Sequence, residues 1–192
     1  VVAMGAKEGS IQAKEGDLIE NLLKLKNIKA KDIMTPRSVV FALPSSTTIE
    51  EAIEDDRMYI HSRIPLFSET LDDVVGIVFN QRILEESNED HDKITLDQIA
   101  HEVHMVSENL PVANLIDQFI KRKSHLFVVF DGYGQTAGIV TLEDAIETLL
   151  GVEIVDEMDE VEDMQMLAKD RSKKFQDRMK LEKQKIAKAK IN

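Results

Sequence analysis

Thr141 and Asp144 are the residues best placed to do chemistry. They sit in Gly138-Ile139-Val140-Thr141-Leu142-Glu143-Asp144, which reads as a short buried strand running directly into a helix, with Thr141 at the turn. A helix start offers unpaired N–H groups and the positive end of the dipole to an anion such as a phosphate, and Thr141 adds a hydroxyl. Asp144 is an acceptor suited to the two hydroxyls of a ribose, in charge-assisted bonds. The same spacing is a capping box, in which Thr141 caps the helix and Asp144 answers back. Either reading explains both residues, and the two are compatible.

An internal repeat supplies a control. Sixty-two positions earlier stands Gly76-Ile77-Val78-Phe79-Asn80-Gln81-Arg82, and at the same offset Ser62 to Phe67 falls on Ser124 to Val129. The string occurs twice, so the chain is read as two copies of one unit. Phe79 and Arg82 occupy the positions of Thr141 and Asp144. Phe79 has no hydroxyl and Arg82 has no acceptor. One working site per chain is expected, with its counterpart empty or altered.

The elements that would hold this site follow from pattern. Leu18, Ile19, Leu22 and Leu23 recur at helical spacing behind Asp17, a plausible N-cap, which predicts a helix over 17–27. Val39 to Leu43 reads as a strand, and Thr48-Ile49-Glu50-Glu51 as a capping box opening a helix to Tyr59. Strands are expected at 63–67 and 76–79, then a helix over 81–86. The second copy has a helical turn from Thr95, a strand at 103–106 and a helix behind Pro111. Strands at 126–130 and 137–140 follow, then the helix behind Thr141. The order β-α-β-β-α in each copy implies an α+β fold with a small sheet and two helices per copy. The domain reading is an N-terminal segment and linker helix over 1–30 and copies at 31–90 and 95–152. An acidic and then basic tail occupies 153–192.

Bulk properties narrow the function. At 192 residues and 43% hydrophobic, the chain can bury one good core or two small ones. A net charge of -12 argues against nucleic acid, since phosphates call for surplus Lys and Arg. Without cysteine there are no disulfides or thiolate metal sites. No apolar run reaches the roughly 18 residues of a membrane helix, and no signal peptide is visible, so the piece is expected to be soluble. Its first residue is Val, so it is expected to be cut from something longer.

Other features have plainer readings. Residues 153–163 hold seven acidic side chains and no basic one, a run that could gather magnesium but reads more readily as a solvated stretch. From Lys169 to Lys190 ten Lys or Arg face three acids, expected as a frayed, solvated helix. His101 and His104 lack a third ligand at convincing spacing, which disfavours zinc. The methionines, such as Met34, Met58 and Met105, read as core filler.

Three motifs in order carry a resemblance: Asp32-Ile33-Met34-Thr35-Pro36-Arg37, Ser62-Arg63-Ile64-Pro65-Leu66, and Gly138 to Asp144 running into Gly151 to Glu157. Together they resemble the tandem CBS domains of the CorC/CNNM magnesium-transport family, over about residues 10–160. The resemblance implies a pseudo-twofold pair of repeats that binds adenine nucleotide (ATP or AMP), often with Mg2+ bridged by the phosphates. It implies a homodimer of such pairs on the cytoplasmic side of the bacterial inner membrane, attached to a membrane domain that would precede residue 1. It also implies that Arg63 meets the phosphates, beside Ser62, while Ile64 and Pro65 line an adenine slot, with Thr35 near adenine and ribose. A strand with a surface Arg, and a helix stop before Pro36, would explain the same residues without a ligand. Val39 and Val40 are mostly core with a possible backbone role at the adenine edge.

The favoured reading is a regulatory nucleotide-binding module of a divalent-cation (magnesium or cobalt) transporter. The alternative is a structural dimerisation module with a degenerate cleft. An enzyme is disfavoured, because no glycine-rich phosphate loop, nucleophile–base pair or metal cluster is visible.

Overall fold

The structure, a computed structural model, describes residues 13–151. Residues 1–12 and the acidic-then-basic tail lie outside it, and with them the acidic run considered for magnesium. In chain order the elements are α1 (Ala13–Lys24), α2 (Ala30–Ile33), β1 (Thr35–Pro36), β2 (Leu43–Pro44) and α3 (Ile49–Ile53). After a 3-10 turn (Asp56–Tyr59) come β3 (Arg63–Phe67), β4 (Val74–Phe79) and α4 (Asn80–Asn88). A second 3-10 turn (Leu96–Ile99) leads to β5 (His104–Ser107), α5 (Val112–Arg122), β6 (Leu126–Phe130), β7 (Thr136–Thr141) and α6 (Leu142–Leu150).

Two small sheets form, ordered β2-β3-β4 and β1-β7-β6-β5. In each, the first strand of the copy runs parallel to the second, and the second and third form an antiparallel hairpin. This is the expected α+β arrangement of two β-α-β-β-α units. Period-2 alternation sorts the side chains. Ile64, Leu66 and Val78 enter one core with Ile49, Met58 and Ile83. Phe127, Val129 and Val140 enter a second with Leu115, Phe119 and Ala145. On the opposite faces, Pro65, Ile77, Leu126 and Val128 are buried although neither cluster includes them. Those are the faces the two halves cover for each other.

The halves exchange their lead-in segments. Thr35 in β1 pairs with Ile139 in β7, and His101, just before β5, bridges to Ile77 in β4. Lys29 likewise bridges to Pro111, and Thr95 to Thr48. Each bridge has its mate with the copies interchanged, the signature of a pseudo-twofold. Packing follows the exchange: Leu25 and Ala30 fill the second core, and Leu96 fills the first. Sequence copies and packing units therefore differ at their edges.

Several sequence expectations are corrected. The first helix is already under way at Ala13, so Asp17 lies within it and is not its cap. Leu18, Leu22 and Leu23 stay exposed, and Leu25 is what this segment buries. Of the apolar run 39–43 only Leu43 joins a strand. Val39 is buried without strand pairing, while Phe41 stacks on His61. The helix opened by Thr48 stops at Ile53, because Asp55 turns its carboxylate onto the Arg57 amide and starts the 3-10 turn instead. Pro111 is the N-cap rather than the first helical residue. The 62-residue offset holds for β4 and β7, but β3 and β6 are related by 63: Arg63 stands opposite Phe79, whereas Leu126 stands opposite Thr141. The loop from 68 to 73 is one residue longer than that from 131 to 135, which absorbs the slip. Among the described residues, no helix is long and apolar enough to cross a membrane.

Candidate functional site

Thr141 is the last residue of β7 and the N-cap of α6, in extended conformation. Its N–H and its hydroxyl both donate to Asp144 Oδ2, at 2.7 and 2.8 Å, and its Oγ1 accepts from the Asp144 N–H at 3.2 Å. The capping box is thus fully formed. The Leu142 N–H donates to the His125 carbonyl, so of the first three amides of α6 only that of Glu143 is left without such a bond. The bare helix start is therefore a narrower anion site than the sequence implied. All of Thr141's bonds to the carboxylate converge on Oδ2, and Oδ1 takes none of them.

Burial pushes the Asp144 carboxyl up to about 6 from its ordinary value, against the pull of its bonds from Thr141, and the charges of Glu147 and Glu143 push the same way. A carboxyl so tuned gains from any new donor that stabilises its charged form.

Thr35 is brought to the same strand, opposite Ile139 and two positions from Thr141 along β7. The approach is tight: a Cβ on Gly138 would lie 2.2 Å from the Thr35 carbonyl oxygen. The Met34 Sδ lies against the same spot, 3.3 Å from that Cβ position. Gly76 plays the matching role in the other half, where the His101 carbonyl oxygen would be 2.9 Å away. The repeated Gly-Ile-Val is thereby explained by close passage of the exchanged segment.

The β3 residues divide. Arg63 and Pro65 share the face turned toward the other half, with Pro65 buried and Arg63 half-buried. Ser62 is exposed, and its Oγ accepts from Arg63 Nη1 at 3.5 Å. Ile64 differs from expectation: its side chain is fully buried in the first core, because alternation turns it away from Pro65. The structure does not bring it to the cleft face. Val39 is buried and Val40 is half-buried.

The counterpart of the Thr141 site is rebuilt. Phe79 caps α4 without a side-chain bond. Arg82, at Asp144's repeat position, is held by Glu86 and by Glu85 at 3.4 Å on its own helix. His101 meets the Phe79 ring edge-on, centroids 5.0 Å apart, and the Arg63 guanidinium lies 5.5 Å from the Phe79 centroid. Among the described residues, Glu86, Glu89 and His91 are close enough to share a metal ion, but Arg82 and His91 already take the two oxygens of Glu86.

Sequence reasoning missed two groupings. One is the Phe79–His101–Arg63 stack, for which the signal was an aromatic in place of a capping Thr. The other is a clasp between the halves. Asp72 Oδ1 accepts from Arg37 Nη1 and, at 3.0 Å, from the Thr136 N–H, while Arg37 Nη1 also reaches the Thr136 carbonyl at 3.5 Å. Arg37 holds the Asp72 carboxyl below its ordinary value. No local pattern pairs residues so far apart in sequence.

Comparison with known proteins places these features. The CBS domain family model matches residues 30–89 and 96–151. The chain is 36% identical over 169 residues to a UPF0053 protein of Synechocystis, covering 88% of this chain and 49% of that protein. It is 30% identical over 148 residues to the magnesium and cobalt efflux protein CorC of Escherichia coli, covering 77% of this chain and 50% of that one. The chain thus spans about half the length of these curated relatives. Among solved structures, the CBS domain of a bacterial CNNM/CorC family Mg2+ transporter superposes with TM-score 0.76 at 35% identity, covering 81% of this chain and 94% of that one. A structure of such a domain in complex with ATP gives TM-score 0.68 at 34% identity, covering 72% and 99%.

Proposed function

The chain belongs to the CBS-domain family, as a tandem pair homologous to CorC, and we propose that it binds adenine nucleotide to regulate a CorC/CNNM-like divalent-cation transporter. The observation that carries this reading is the Thr141–Asp144 pair: a half-buried carboxyl with one oxygen left free by Thr141, at a helix start, beside the exchanged Thr35 strand. The ATP complex of a structural relative supports the ligand class.

In this reading Asp144 accepts from the ribose hydroxyls through Oδ1, and the Glu143 amide meets the nearest phosphate together with the Thr141 hydroxyl, which turns from Oδ2 to do so. Arg63, with Ser62, meets the outer phosphates from the other half, while Pro65 and Thr35 border the base. Mg2+ would enter with the nucleotide, bridged by its phosphates, since Mg2+ is commonly held through phosphates and water. The module works as a homodimer on the cytoplasmic side of the membrane, coupled to a membrane domain. Nucleotide biases the transporter only as far as it prefers one arrangement of the pair. It is a regulatory module and not an enzyme.

The second reading, a structural dimerisation module, draws on the closed capping box and on Phe79 and Arg82 in the other half. Thermal melting with ATP, ADP and AMP, with and without Mg2+, separates the two. Nucleotide at ~100 times its dissociation constant stabilises the fold by ~2.7 kcal/mol. A melting point unmoved by all three nucleotides leaves the structural module, and ATP hydrolysis above background overturns both.

A further inference from the structure

We propose that Phe79 is a positioning residue, a platform that holds the Arg63 guanidinium in the cleft for the phosphates of a nucleotide bound at Asp144. The inference rests on the nucleotide reading above and assigns a role to the half-site that reading leaves without ligand.

Three observations carry it. First, Arg63 lies over the Phe79 ring, its guanidinium carbon 5.5 Å from the centroid, and His101 braces the same ring edge-on at 5.0 Å. Second, Arg63 is not neutralised. Arg37, Arg57 and Arg82 each pair with a carboxylate, whereas among the described residues no carboxylate pairs with Arg63, nor with Arg122, which meets His104, in a chain of net charge -12. Among the described residues its one side-chain hydrogen-bond partner is the Ser62 hydroxyl, at 3.5 Å. Third, strand alternation puts Arg63 and Phe79 on the inward face of the first sheet, and Ile139 and Thr141 on the inward face of the second.

The chemistry is consistent with these placements. A guanidinium lying on an aromatic face keeps its in-plane N–H donors available for an anion's oxygens. A carboxylate partner would consume them. At one repeat position the second half carries the Thr that caps a ribose-binding carboxyl, and the first half carries the ring that aims a cation. The asymmetry of the copies thus divides one ligand between them: sugar to one half, phosphates to the other.

The test is a titration of wild type, Phe79→Leu, Arg63→Ala and the double variant with Mg-ATP and with adenosine. Losing the platform is expected to weaken ATP roughly fivefold, the scale of an exposed cation–π contact, and to leave adenosine unchanged. In the Arg63→Ala background Phe79→Leu should cost nothing further, and Phe79→Tyr should retain ATP affinity. His101→Ala, at an exposed side chain, should show the same ATP-selective loss in a milder form. Phe79→Leu with unaltered ATP affinity, equal losses for ATP and adenosine, or full additivity with Arg63→Ala each overturn the platform while leaving nucleotide binding in place. A wild type that binds neither ligand overturns the nucleotide reading and the platform with it.

Discussion

The carbonyl oxygen of Thr35 passes so close to Gly138 that a Cβ there would lie 2.2 Å from it. The contact joins the segment before the first copy to the last strand of the second, and it fixes where Thr35 stands relative to Thr141. Neither backbone can retreat easily, since the Arg37 N–H also bonds the Ala137 carbonyl at 2.8 Å.

Gly138→Ala should therefore destabilise the fold by about 1–3 kcal/mol, the usual cost of overpacking, and weaken nucleotide by displacing Thr35. Denaturant melts of Gly138→Ala and Gly76→Ala give the comparison. The second should cost less, because its nearest backbone oxygen would lie 2.9 Å away.

Asp144 makes stability depend on pH in a defined direction. Its folded pKa, about 6, exceeds its ordinary 3.8, so the fold binds this proton more tightly than the unfolded chain does. Stability is then highest below the ordinary value and falls as pH rises from about 4 to about 6. The loss is on the order of 3 kcal/mol for about two units. Asp144→Asn keeps an oxygen to accept from Thr141 and should remove this loss. Glu51, Asp55 and Asp72, held low by Thr48, Arg57 and Arg37, slope the other way. The readout is accordingly the difference between wild type and Asp144→Asn across that window.

Ribose recognition by a carboxylate can be checked on the ligand. ATP lacking both ribose hydroxyls should bind about 10–100-fold more weakly than ATP, the scale of hydrogen bonds to a charged group. Asp144→Ala should bind the two alike. Competition titrations measure both, and an undiminished preference for ATP in Asp144→Ala would place the ribose elsewhere.

Thr136 lies in the clasp between the halves, and its hydroxyl is buried without a partner. Thr136→Val removes that hydroxyl at nearly constant shape while leaving the backbone bonds to Asp72 and Arg37. It should stabilise the fold by about 1 kcal/mol, seen as a higher denaturation midpoint. A marked loss would mean the hydroxyl has a partner in solution.

What could be read from sequence was what is encoded locally. The Thr48–Glu51 and Thr141–Asp144 boxes pair residues three apart in sequence, and both formed as spaced. The repeated Gly-Ile-Val strands were legible for the same reason. The exchanged segments were not, since β1 is two residues long and its partner lies about a hundred residues on, Thr35 against Ile139. Apolarity at 39–43 signalled burial, which Val39 shows, but it does not specify a pairing partner. The slip from 62 to 63 was hidden because a one-residue change in hairpin length leaves no trace in the apolar pattern on either side. At the candidate site, Thr141 bonds Asp144 and Thr35 pairs with β7 two positions away, whereas Ile64 turns inward because strand alternation decides its face. The stack of Phe79, His101 and Arg63 is a tertiary event with only the odd aromatic to announce it.

The most direct measurement is calorimetric titration of ATP, with Mg2+, into wild type and Asp144→Ala. One nucleotide per wild-type chain, with binding lost or sharply weakened in the variant, is the expected result. Two nucleotides per chain, or undiminished binding by Asp144→Ala, would contradict a single site built on Thr141 and Asp144.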